Sequence, residues 1–183
     1  LLDVGAGSGD VTDVLRQCFD EVETTEVSRG MARRLTKRGL LCHRLDLSEV
    51  PLDAPAFDAV SLLNVLDRCR RPRALLQHCL AALAPGGTFI VALALPYQPF
   101  YFDGPRTPDP LERLDCAPTA APRPGAGADS RNWEDGARRF IERDLLPLGL
   151  TLHALARAPY LSAGDSGRAL YELDDVLVVL SKR

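Results

Sequence analysis

The feature that most constrains this chain is the turn Asp3-Val4-Gly5-Ala6-Gly7-Ser8-Gly9, which continues the apolar stretch Leu1–Val4. Glycines after a first strand let the backbone turn sharply and pass close to a ligand, and the next helix presents free N–H groups to it. Val11, Val14, Leu15 and Phe19 then recur at helical spacing, so the segment predicts strand, glycine turn and helix. Val22–Glu26 is short and β-branched, a second strand. Ser28 suits the N-cap of a helix carrying Met31 and Leu35, which Gly39 closes. Leu40–Leu45, ending at Asp46, and Phe57–Leu63, ending at Asn64, read as strands three and four. Pro72 opens a helix to about Leu83, and Pro85-Gly86-Gly87 turns into a strongly apolar fifth strand, Thr88–Leu95.

After Pro96 the regularity is lost. Pro, Gly, Ala and Asp dominate between Asp103 and Ser130, which predicts a long, mobile loop over 103–130. Trp133–Leu146 predicts another helix; Trp133 either packs a lid or anchors that helix, and the sequence leaves both open. Leu150–Ala156 and Leu170–Leu180 read as two last strands, joined by Pro159–Gly167. Strands alternating with helices build a parallel sheet covered on both faces, while the final pair, lacking an intervening helix, pairs antiparallel. The expectation is a seven-stranded, mostly parallel α/β sheet finished by an antiparallel C-terminal hairpin, with residues 1–183 as a single domain. The chain begins at Leu1, inside an apolar strand and without Met, so it is expected to be a fragment whose natural N-terminus lies upstream.

Composition excludes several classes. Lys and Arg number 22 against 25 Asp and Glu, a net charge of −3, so no global field draws the chain to nucleic acid or acidic lipid. The longest apolar run, Phe89–Leu95, falls far short of the ~20 residues of a membrane-spanning helix. The 5 cysteines form no C-x-x-C pair and the 3 histidines are scattered, so neither a disulfide framework nor a metal site is expected. Arg29, Arg33, Arg34, Lys37 and Arg38 read as a solvated helix face.

A glycine turn fits two cofactor classes. A dinucleotide asks for G-x-G-x-x-G, because its pyrophosphate docks on the helix end. Here the spacing is G-x-G-x-G, with Asp3 two positions before the first glycine. A carboxylate there repels pyrophosphate and suits a cation such as the ammonium of a methionine moiety. Glu26, closing strand two, can accept from both ribose hydroxyls of a nucleoside. Leu83-Ala84-Pro85-Gly86-Gly87 before an apolar strand is similar to the arrangement in class I S-adenosylmethionine-dependent methyltransferases. These features point to a Rossmann-like methyltransferase fold with S-adenosyl-L-methionine as cofactor and Asp3, Gly5, Gly7 and Glu26 at its site. Asp46 either accepts from the adenine amino group or caps a turn.

Several stretches go further than the superfamily. Leu1–Gly7, Thr25-Glu26, Leu63-Asn64-Val65-Leu66-Asp67-Arg68-Cys69 and Ala92-Leu93-Ala94-Leu95-Pro96-Tyr97 resemble the DREV family, methyltransferase-like protein nine. So do Asn132-Trp133-Glu134, Pro159-Tyr160-Leu161 with Gly164-Asp165, and Leu173-Asp174-Asp175-Val176. The resemblance implies methylation of the pros nitrogen of protein histidine, in substrates carrying His-x-His with a small middle residue. It also implies that Glu26, Asn64 and Tyr160 contact the cofactor and that Asp67 faces the acceptor imidazole, with Asn64 beside it. It suggests the endoplasmic reticulum or the mitochondrion, and a monomer is expected. Ser8 stands where the family usually has an acid, and the Pro/Ala-rich segment 103–130 has no close counterpart in it.

The chemistry accounts for an acid at position 67. Methyl transfer from a sulfonium needs a neutral nitrogen lone pair, and histidine, titrating near 6.5, is mostly neutral at pH 7. The task is tautomer choice and positioning. A carboxylate accepting from the other ring N–H holds the tautomer and stabilises the cation that forms. Asp67 lies just beyond the carboxyl end of strand four, the edge where open α/β sheets bind ligands. Its alternatives are a salt bridge to Arg68, Arg70 or Arg71, or a cap on the helix near Pro72. Asp174 and Asp175 read as structural, Tyr160 as lying in a polar loop. A small-molecule methyltransferase and a non-catalytic cofactor-binding scaffold remain as rival readings.

Overall fold

The structure is a computed structural model and describes residues 1–53, 56–103, 106–117, 130–163 and 169–182. Its strands are β1 (Leu2–Val4), β2 (Glu23–Thr25), β3 (Leu41–His43), β4 (Phe57–Leu63), β5 (Leu83–Ala94), β6 (Leu150–Ala163) and β7 (Leu170–Lys182). They form one sheet in the order β3-β2-β1-β4-β5-β7-β6. β1 to β5 pair in parallel, and β7 runs antiparallel to both β5 and β6. This is the doubly wound sheet with a C-terminal hairpin that the apolar spacing predicts. The helices are α1 (Asp10–Leu15), α2 (Arg29–Lys37), α3 (Pro72–Ala82) and α4 (Ser130–Arg139). Among the described residues, no helix is long and apolar enough to cross a membrane.

The topology decides where a ligand can sit. From β1 the chain winds outward to β2 and β3, then returns to place β4 on the other side of β1. The crevice beyond the carboxyl ends of β1 and β4 is therefore a topological switch point. Val4 lies beside Leu62, so Gly5 and Asn64 leave the sheet next to each other at that crevice. Because β7 runs the opposite way, its early residues reach the same edge: Asp175 stands opposite Ala94 of β5, and Tyr160 opposite Leu173.

Several elements depart from the expectation. α1 ends at Leu15 rather than reaching Phe19, and it buries Thr12 while Val11 and Val14 are exposed. Thr12 turns inward because its hydroxyl donates to the buried Asp3 carboxylate at 2.6 Å. β6 continues past Ala156 to Ala163, so Tyr160 belongs to a strand and not to a loop. β5 starts early at Leu83 and steps its register against β4 between Phe57 and Ala59. The expected helix Trp133–Leu146 is broken into α4, a π-turn over Phe140–Leu145 and a 3-10 turn over Leu146–Leu148. The wide π-turn brings Phe140, Ile141, Asp144 and Leu145 inside together. Asp144 then accepts from the Asp115 and Cys116 amides at 2.7 and 2.9 Å.

Those amides belong to the segment expected to be a mobile loop. Residues 106–117 lack regular structure but are tied down, with Leu114 and Cys116 buried and Arg73 bridging to Asp115 at 2.6 Å. Residues 104–105 and 118–129, and the Gly164-Asp165 pair, lie outside the described residues.

The core is centred on β5, whose Phe89, Val91 and Leu93 are fully buried between the layers. Truncating the largest of them should leave a cavity the sheet cannot close. Phe89→Ala is expected to cost about 3–5 kcal/mol in urea unfolding, whereas a loss below about 1 kcal/mol would contradict this placement.

Candidate active site

The glycine turn rests on the end of β2. The Gly5 and Ala6 amides both donate to the Thr25 carbonyl, at 3.0 and 3.1 Å. Gly5 has φ +69°, and a Cβ there would meet Val65 Cγ2 at 2.6 Å, so the turn packs against the chain leaving β4. Gly7, also at positive φ, differs: a Cβ there meets nothing within 4 Å. Protein packing explains the first glycine, and only the backbone conformation and open space explain the second.

Glu26 faces that space. It is buried, with Oε2 accepting from the Gly7 amide at 2.9 Å and Oε1 from the Ser28 amide at 2.8 Å. Two backbone N–H groups thus hold the carboxylate, and each oxygen keeps a lone pair for a further donor. Asp3 lies beneath the turn. Its oxygens accept from Thr12 and Ser61 at 2.6 and 2.7 Å, and burial raises its pKa against those two bonds. The sequence reading had this carboxylate open to a cation; the structure makes it first an anchor joining β1, α1 and β4. β3 ends at His43, short of the expected Leu45, and Asp46, three residues beyond it, uses Oδ1 to cap a turn through the Ser48 amide and hydroxyl at 2.9 and 2.7 Å.

A second cluster lies across the crevice. Asn64 has φ 56°, the one non-glycine residue at positive φ among the described residues. Asparagine tolerates this better than most, yet such strain costs of order 1–3 kcal/mol and persists only where the surroundings over-determine it. Here the Asn64 amide N–H donates to the Ala92 carbonyl at 3.0 Å. Its side-chain Nδ2 donates to Tyr160 Oη at 2.9 Å and to Asp175 Oδ2 at 2.5 Å. One asparagine therefore joins β4, β6 and β7.

Asp67 follows within one turn of chain. It is buried, and its contact with Arg68 Nε is long, 3.5 Å, while Arg70 and Arg71 approach Glu49 instead. The side chain that accepts from the first turn of α3 is Glu112, from the Ala74 amide at 3.2 Å, so that alternative for Asp67 falls away. Burial pushes its pKa up, with Arg68 opposing. Burial also lifts Asp175 to about 6, and the charge of Asp67 adds to the rise. The Tyr160 phenol goes to about 12, through burial and then the Asp175 charge, so it remains a donor at neutral pH.

Three buried oxygens at this junction have no hydrogen-bond partner: Asn64 Oδ1, Asp67 Oδ1 and Asp175 Oδ1. An unsatisfied buried acceptor costs about 1–3 kcal/mol, and all three are acceptors. They fit a ligand bearing N–H groups or positive charge and would repel a pyrophosphate. Among the described residues, no group of His, Cys, Asp or Glu could hold a metal ion. A groove lined by Arg29, Arg33, Arg34 and Lys37 shares no residue with the cluster.

The fold thus brings together Gly5, Gly7, Glu26, Asn64, Asp67 and Tyr160, with Asp3 beneath and Asp46 in the turn after β3. Sequence reasoning missed Asp175. The signal was strand parity, which turns adjacent aspartates to opposite faces: Asp174 meets Arg157 and Asp175 meets Asn64. Trp133 anchors α4, since its Nε1 donates to the Asp174 carbonyl at 3.2 Å and Arg157 lies 5.0 Å over its ring.

Known structures share the fold. The N-methyltransferase NodS from Bradyrhizobium japonicum, solved with S-adenosyl-l-homocysteine, matches at TM-score 0.60 and 16% identity over 99% of this chain and 76% of that one. The magnesium protoporphyrin IX methyltransferase of Synechocystis, with bound SAM, matches at 0.55 and 12% over 100% and 69%. The [4+2]-cyclase SpnF matches at 0.60 and 14% over 99% and 74%. The architecture is the class I S-adenosylmethionine-dependent methyltransferase fold, Rossmann-like with its antiparallel hairpin. Within that class the chain belongs to the DREV methyltransferase family, matched over residues 1–182.

The two glycines should respond differently to a side chain. Gly5→Ala adds a clash with Val65 to the strain of positive φ, so it should lose about 1–3 kcal/mol more than Gly7→Ala in chemical denaturation. Equal losses would contradict the packing assigned to Gly5.

Proposed function

We propose that this methyltransferase uses S-adenosylmethionine to methylate the pros nitrogen of histidine in His-x-His motifs of proteins, acting as a monomer. The single observation that carries the reading is the buried Asp67 carboxylate, Oδ1 unpartnered, beside Asn64 at the carboxyl edge of β4. Family membership supplies the reaction class. SpnF, a cyclase on the same fold, is a reminder that fold does not choose the reaction.

On this reading Glu26 accepts from the two ribose hydroxyls and the open side of Gly7 admits the nucleoside. Asp46 accepts from the adenine amino group through its second oxygen. Asn64 and Tyr160 meet the methionine end, and Asp3 holds the turn in place from below. When bound, the cofactor supplies a methyl group on a sulfonium. Asp67 accepts from the far ring N–H of the acceptor histidine, which leaves the pros nitrogen with its lone pair free. Transfer would break the S–CH3 bond, leaving a neutral thioether, and make the ring cationic; the carboxylate of Asp67 would stabilise that cation until the far N–H proton is lost. An ionised Asp67 is required for this role, and its raised pKa makes activity fall as pH falls. Protonation of the acceptor imidazole acts in the same direction.

Incubation with S-adenosylmethionine and a His-Ala-His peptide, read by tandem mass spectrometry, tests the acceptor. A methyl group on an imidazole ring is expected. Cofactor binding without any transfer to the peptide would favour a small-molecule acceptor, and no binding at all would favour a non-catalytic scaffold. Asp67→Ala should abolish transfer with S-adenosylhomocysteine affinity near wild type. Glu26→Ala should instead weaken the cofactor by about tenfold or more, since two hydroxyls lose a buried acceptor. Equal loss of both functions in Asp67→Ala would make that residue structural.

A further inference from the structure

Asn64 can meet β7 in either of two amide orientations, with Nδ2 or with Oδ1 inward. An ionised carboxylate only accepts hydrogen bonds, so Asp175 Oδ2, at 2.5 Å, selects the orientation with Nδ2 inward. Tyr160 Oη, at 2.9 Å, is both donor and acceptor and is compatible with either. Both N–H groups of Asn64 are thereby used, and Oδ1 is left buried and without a partner. The strained backbone at φ 56° fixes where the side chain starts, so the amide has little freedom beyond this choice.

We propose that Asp175 is a positioning residue that sets the direction of the Asn64 amide, so that Asn64 Oδ1 is presented as an acceptor to the ammonium end of the bound cofactor. This rests on the reading of the cluster as the S-adenosylmethionine site. The charged and titratable groups around Asp175 are few. Its own strand supplies Asp174, which Arg157 engages. The segment after β4 supplies Asp67 and Arg68, and β6 supplies Tyr160. Across the sheet, Ala94 of β5 stands opposite it. Burial lifts the pKa of Asp175 to about 6. Above that value it only accepts; below it, the protonated carboxyl donates, and the amide turns Oδ1 inward to receive it.

Calorimetric titration with S-adenosylhomocysteine from about pH 8 to pH 5 isolates this effect, because no acceptor histidine is present. One unit below its pKa roughly a tenth of Asp175 stays ionised, so wild-type affinity should fall about tenfold across that range. Asp175→Asn should bind more weakly at pH 8 and lose most of the pH dependence, with folding checked by thermal denaturation. Asp67→Asn and Tyr160→Phe should keep it. If Asp175→Asn does not fold, those two variants and the wild type still decide. A limb near pH 6 that survives in both supports the inference. A flat wild-type profile, a limb that survives in a folded Asp175→Asn, or one that vanishes in Asp67→Asn overturns it. Wild-type protein that fails to bind S-adenosylhomocysteine at every pH overturns the cofactor reading, and this inference with it.

Discussion

The junction at Asn64 depends on a polar side chain being held where a sheet of apolar strands would otherwise end in open loops. The asparagine follows β4, while β6 carries the tyrosine and β7 the aspartate, and the three come from positions 64, 160 and 175. Their meeting requires the parallel part of the sheet and the antiparallel hairpin to be in register, since a shift of one residue in β7 would turn Asp175 to the opposite face. The strained backbone of Asn64 is kept by that register and by the Ala92 carbonyl. In turn it leaves a set of acceptors without donors, which is the property of the site that a cationic ligand would satisfy.

The opposite wall of the crevice is built on different physics. There the glycine turn and Glu26 are joined by backbone amides, so the carboxylate is oriented before any ligand arrives. Asp3 ties the same turn to α1 and β4 through hydroxyls deep in the sheet. One wall is thus preorganised and satisfied, the other preorganised and unsatisfied. A nucleoside with hydroxyls at one end and an ammonium and sulfonium at the other matches both, and this polarity distinguishes the site from one made for a pyrophosphate.

Most of the fold was legible because it follows from strand-length apolar runs punctuated by Gly and Pro. The hairpin was legible for the same reason, from two strands with no helix between them. The failures have physical causes. Val11 and Val14 have the spacing of a buried helix face, but it is Thr12 that turns inward, drawn by a carboxylate whose burial local pattern does not report. Asp144 organises residues 106–117 from a distant π-turn, a long-range bond that composition cannot show. Asp174 and Asp175 are neighbours with the same chemistry, and only the pairing of β7 with β5 and β6 tells which faces the site. Glu26, Asn64 and Asp67 are legible as candidates because each closes or follows a predicted strand, and the fold puts all three beyond strand ends at the carboxyl edge.

The most direct measurement is a crystal structure of the protein with S-adenosylhomocysteine and a His-Ala-His peptide. The account predicts the ribose hydroxyls on Glu26, an acceptor imidazole with one ring nitrogen hydrogen-bonded to Asp67, and the other ring nitrogen aimed at the sulfur. An imidazole bound away from Asp67, or a cofactor seated elsewhere than between Glu26 and Asn64, would contradict it.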